Sequence, residues 1–247
     1  MPAVDETQAV ARHSLTTSLA LHLVPGVANF CATLAGFAYV LNPQLPAELV
    51  YGVLVNVLVL IPIQLGFLLY LAKKRGNQGL SLRGVVVLDN PLKLSKIVLW
   101  SAAILVPTGV IFGVFEPLTT HLDGLIAFDR FIAIPGASAH QDTAFLVLGL
   151  NIVLTGIAVP ITEELYFRGY LLPRMPLRLG RGGPVVHSLL FAIYHVDTPW
   201  MIPVRTVGLL PLIYVTLHTR STKPGILAHC VVNLADFVVV VSNRWKG

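Results

Sequence analysis

Apolar residues run along this chain in blocks of about 20, the length that crosses a bilayer as a helix. The pattern predicts helices over 21–41, 49–72 and 95–115. A fourth run, 143–159, meets Pro160, and a helical pattern resumes through Leu172. Two shorter runs follow at 184–196 and 200–218, and a last one covers 225–242. That is seven spans, or eight if 161–172 stands alone. Lys73, Lys74 and Arg75 end the second run abruptly, and residues 116–142 read as a loop. No internal repeat and no low-complexity segment interrupts the series. The fold class predicted is all-α, a polytopic membrane helical bundle with a membrane-embedded polar cavity. It divides into N-terminal helices and loops over 1–142, a helical core over 143–242 and a short polar tail over 243–247.

Composition narrows the class further. Of 247 residues, 55% are hydrophobic and 12% charged, about half the charged share of a soluble domain. Mean hydropathy is +0.77. Too little charge is present to cover a water-facing surface, which excludes an ordinary soluble enzyme and a disordered chain. The net charge of +5 is concentrated in short loops, 73–96, 173–183 and 219–224. Basic loops are retained on the cytoplasmic side. The N-terminus is then expected inside and loop 116–142 outside, in the plasma membrane if the source is prokaryotic. The same alternation carries the C-terminal Arg244 and Lys246 outside, against the rule, so a re-entrant late span or a count off by one is the alternative. No basic stripe interleaves with aromatics, so no nucleic-acid partner is expected. Cys31 and Cys230 lie in apolar runs and read as small apolar residues. Asp5 and Glu6 argue against a signal peptide at the N-terminus.

Ionisable residues inside apolar runs are the informative exceptions. An ionised side chain at mid-membrane costs about 2.5–3.5 kcal/mol on insertion scales, so such residues face an interior or a wet cavity. Three clusters stand out: Glu163-Glu164-Leu165-Tyr166-Phe167-Arg168, Phe191 to His195, and His229 to Asn233. Glu164 and Arg168 are four apart and can pair on one helix face. Glu163 lies about 100° round the axis from Glu164 and is free to face a cavity. His229 and Asn233 present two polar heads from one face. Phe191 lies one turn below His195, as an aromatic wall. Pro160 removes a backbone hydrogen bond just before the glutamates. Tyr166 is read as an interfacial or cavity residue, and Gly169 as a place of close helix approach. His187 shares the face of Phe191 and His195 and is read as structural. His13, His22, His121, His140 and His218 are read as non-functional, and Asp236, three residues after Asn233, as a further residue that could line the cavity.

The order EExxxR, FxxxH, HxxxN resembles the CAAX-protease and bacteriocin-processing family of intramembrane proteases, also called CPBP or Abi, which includes the type II CAAX prenyl endopeptidases. The resemblance covers about residues 143–240. It implies that Glu163 and His195 activate a water, that His229 and Asn233 form an oxyanion site, and that Glu164 and Arg168 orient the motif. Peptide hydrolysis needs these two functions, an activated nucleophile and a stabilised oxyanion. Phe191 and Tyr166 are the expected substrate-cavity residues. The implied activity is an intramembrane endopeptidase acting on a membrane-associated, and in part of the family lipidated, peptide or protein. No cofactor is expected, the alternative being zinc at Glu163, His195 and His229, with a position left open for water. Two other readings fit buried Glu, His and Arg: a proton- or ion-coupled transporter, and a non-catalytic membrane partner.

Overall fold

The computed structural model describes residues 10–39, 49–126, 149–150 and 152–244, with the side chains of 36–39, 49–54 and 236–244 outside the description. Asp236, loop residues 127–142, the start of the fourth run and the tail 245–247 therefore lie outside what can be described side chain by side chain. Among the described residues the chain is all-α, with isolated β-bridges and no strand.

Helix α1 is Leu15–Tyr39. It begins six residues before the apolar run predicts, because Ser14 caps it: the Ser14 hydroxyl accepts the Thr17 amide at 3.0 Å. Helix α2 covers 49–74 without a break, largely in wide π-helical turns, and ends at the basic triplet. Helix α3, Leu94–Ile126, has 33 residues, about 50 Å. That exceeds a hydrocarbon core of about 30 Å. It corrects the prediction of a helix stopping at 115. Pro107 and Pro117 do not end it, as is common in membrane helices.

Helix α4 covers 152–174 and carries the first motif. It passes through Pro160 without stopping, so residues 152–159 and 161–172 belong to one helix. Its turns at Leu154–Ala158 and Glu164–Leu171 are π-helical, which lets the chain step past the amide missing at Pro160. Helix α5 is Gly183–Tyr194, only about 18 Å long and too short to cross a bilayer. Helix α6 combines Ile202–Gly208 and Leu210–Thr219. Arg220 ends it in the left-handed conformation, φ 52°. Helix α7 is Lys223–Arg244, about 33 Å, so its ends face opposite sides of the bundle. A re-entrant α5–α6 pair would leave the C-terminal end where it is, since that pair returns to its starting side.

Among the described residues four helices are long and apolar enough to cross a membrane: Leu15–Ala35, Val55–Lys74, Leu94–Ile126 and Pro199–Thr219. Along α3, Val98, Leu99, Val106, Val110 and Val114 are exposed, as expected of a face that meets lipid tails. Helix α1 packs on α2 and α5, and α3 on α6 and α7. Helix α4 lies between the two groups, touching α1 and α2 on one side and α7 on the other. Its aromatics make the main core with Leu68, Phe191 and Tyr194.

The basic segment after α2 is a strap and not a dangling loop. Val85, Val86 and Leu88 are buried. The Val87 amide donates to the Gly169 carbonyl at 3.1 Å, and the Thr222 amide to the Leu88 carbonyl at 3.0 Å. Asp89 then pairs with Lys223 at 3.2 Å. A Cβ on Gly169 would meet Val86 Cγ1 at 2.7 Å, so the close neighbour of this glycine is the strap and not another helix.

Candidate active site

The site is built where α4, α5 and α7 meet. Glu164 and Arg168 pair along α4, Oε1 to Nη1 3.1 Å, with both side chains fully buried. The guanidinium also lies 4.0 Å from the centre of the Phe191 ring. A cation on an aromatic face is stabilised most when desolvated. Phe191 is thus the seat of Arg168, buried in the core.

Both glutamates reach the same imidazole. His229 Nδ1 is 3.1 Å from Glu164 Oε1, and its Nε2 is 3.8 Å from Glu163 Oε2. A carboxylate only accepts, so Nδ1 carries the proton that Glu164 receives. The 3.8 Å gap is too long for a hydrogen bond, but one water could bond both atoms at once. Glu163 and Glu164 therefore grip His229 from its two ring nitrogens. Glu164 thus contacts His229 as well as Arg168.

Glu163 is fixed from its other oxygen. The Tyr194 hydroxyl donates to Oε1 at 2.9 Å, and Gln64 Nε2 donates to that hydroxyl at 3.0 Å. Gln64, Tyr194 and Glu163 are all buried. Neither Tyr194 nor Gln64 is singled out by the motif pattern. Gln64 was legible as a polar residue in a strongly apolar run, and Tyr194 as the hydroxyl beside His195.

His195 follows the last residue of α5. Its Nδ1–H donates to the Phe191 carbonyl at 3.1 Å, satisfying an otherwise orphaned helix-end oxygen. A carbonyl only accepts, so neutral His195 presents the Nε2 lone pair. His195 makes no ion pair with Glu163 among the described residues. Asn233 lies one turn beyond His229, and its Nδ2 donates to the Thr155 carbonyl of α4 at 2.9 Å. Tyr166 is 2% exposed, and its hydroxyl donates to the Leu21 carbonyl of α1 at 2.7 Å, which places it in the core. Among the described residues no three His, Cys, Asp or Glu side chains converge as a metal-holding group.

The fold and this cluster define a class: an all-α integral membrane protein with two carboxylates and a guanidinium buried between its helices and a half-buried imidazole beside them. Residues 145–235 match the family model described as type II CAAX prenyl endopeptidase Rce1-like, so this part of the chain is similar to that membrane-protease family, in line with the order of the three motifs. No curated protein and no solved structure matches the chain.

Proposed function

We propose that the protein is an intramembrane endopeptidase that hydrolyses a peptide bond of a membrane-associated or lipidated peptide or protein. The observation that carries the reading is the double grip on His229 by two glutamates of one helix, with Glu163 oriented through Tyr194. In the reaction, Glu163 Oε2 takes a proton from a water, and the hydroxide attacks the scissile carbonyl carbon. In this reading the His195 lone pair accepts the water's second hydrogen. The oxyanion receives hydrogen bonds from His229 Nε2–H and from the amide N–H of Asn233 that Thr155 does not use. With Nδ1 held by Glu164, His229 donates from Nε2 as the imidazolium, and the cluster then balances two carboxylates against two cations. Glu163 returns its proton to the leaving amine. No step is routed through a metal.

The family description makes a prenylated peptide the first substrate to try. Purified protein in proteoliposomes should cleave such a peptide in the presence of a chelator. Glu163→Gln and His229→Ala should each lower kcat by at least ~100-fold, the scale of losing a base or an oxyanion donor. Equal cleavage by wild type and both variants would refute the assignment.

A further inference from the structure

A cavity of about 920 Å³ opens at the end of the bundle where the basic segments gather, away from the glutamates. Four arginines from four separate segments line it: Arg12 before α1, Arg75 after α2, Arg174 at the end of α4 and Arg220 after α6. Among the described residues no carboxylate lines it. The guanidinium hydrogen bonds that three of them make go to backbone carbonyls: Arg12 to Met175 at 3.4 Å, Arg75 to Gly84 at 3.0 Å and Arg174 to Tyr170 at 2.8 Å. Among the described residues none of the four takes part in an ion pair.

Arg174 is the telling member. It is 4% exposed, with its guanidinium 4.1 Å from the centre of the Tyr170 ring. A buried cation facing other cations is costly unless an anion joins it. Leucines 88 and 172 line the same space, so its walls are part cationic and part apolar. Guanidinium forks fit phosphate oxygens. Basic pockets between membrane helices on the cytoplasmic side are suited to acidic lipid headgroups.

We propose that this cavity binds the phosphate of an anionic phospholipid of the cytoplasmic leaflet, with the glycerol and upper acyl carbons against the apolar wall. The site is independent of the hydrolytic reading, since none of its residues belongs to the glutamate–histidine cluster. It joins the ends of α2, α4 and α6, so a bound headgroup ties the helix that carries the glutamates to its neighbours.

The test uses the full chain, purified in a neutral detergent and stripped of lipid. Native mass spectrometry should show one phosphatidylglycerol retained per chain, and phosphatidylglycerol should raise the unfolding temperature by several degrees where phosphatidylcholine does not. Arg75→Gln with Arg220→Asn should weaken binding at least tenfold. Both positions are exposed, and asparagine tolerates the left-handed backbone at 220. Arg174→Gln should weaken it further. Inorganic phosphate that stabilises as much as the lipid would keep the chemistry and overturn the membrane as its source. Equal retention of phosphatidylcholine, or of phosphatidylglycerol by the Arg75/Arg220 variant, would overturn the site.

Discussion

At the scale of single residues, the site is organised by what each polar atom can and cannot do. The Phe191 carbonyl and the Glu164 carboxylate only accept, and that alone assigns the Nδ1 proton of His195 and of His229. Tyr194 acts as a positioning residue: it occupies Glu163 Oε1 and leaves Oε2 for the chemistry. A hydrogen bond to a charged group contributes about 1.5–3 kcal/mol. Tyr194→Phe should therefore lower kcat about 10- to 100-fold, with KM little changed, because the hydroxyl touches Glu163 and not the substrate. Steady-state kinetics on the cleaved peptide would decide it, and a proportionate rise in KM with kcat intact would count against this role. Glu163, Glu164, Arg168, His195, His229 and Asn233 were all legible as polar residues in apolar surroundings. Their mutual contacts were not, because helical spacing describes one helix at a time and the grip on His229 is made between two.

At the scale of elements, the periodicity located the helices but misjudged their ends and what lies between them. Helix α1 starts early because of a serine cap, and α3 runs on because proline does not stop a membrane helix. The strap was hidden by its basic flanks, although Val85-Val86-Val87-Leu88 is an apolar run long enough to bury. A second buried pair also escaped the pattern. His22 Nδ1–H donates to the Ser18 carbonyl at 2.6 Å, and so its Nε2 must accept from His187 Nδ1–H at 2.8 Å. Both rings are fully buried and join α1 to α5. His22→Leu and His187→Leu should each cost about 1–3 kcal/mol, since each strands one buried polar atom. The double variant should cost less than the sum of the two. Thermal unfolding of the four proteins in detergent measures this, and strict additivity would show that the rings are not coupled.

At the scale of the whole molecule, the gathering of Arg12, Arg75, Arg174 and Arg220 around one cavity puts the basic segments at one end, as the charge distribution predicts for the cytoplasmic side. In a background with Cys31→Ala and Cys230→Ala, a cysteine at Ser81 or Arg178 should react with an impermeant maleimide only in opened cells. A cysteine at His121, near the far end of α3, should react in intact ones. The reverse pattern would invert the orientation and move the arginine cavity to the outer leaflet.

Gln64 has a consequence beyond its hydrogen bond. It belongs to α2, well outside the matched segment 145–235, yet through Tyr194 it helps to orient Glu163. Gly26 of α1 presses on the Tyr194 backbone so closely that a methyl group there would collide with its carbonyl oxygen. The amino-terminal half is therefore no passive membrane anchor that a relative could exchange freely. Drift in its sequence will be felt at the glutamate, and a fragment reduced to the recognisable motifs would keep the catalytic letters while losing what holds them in register.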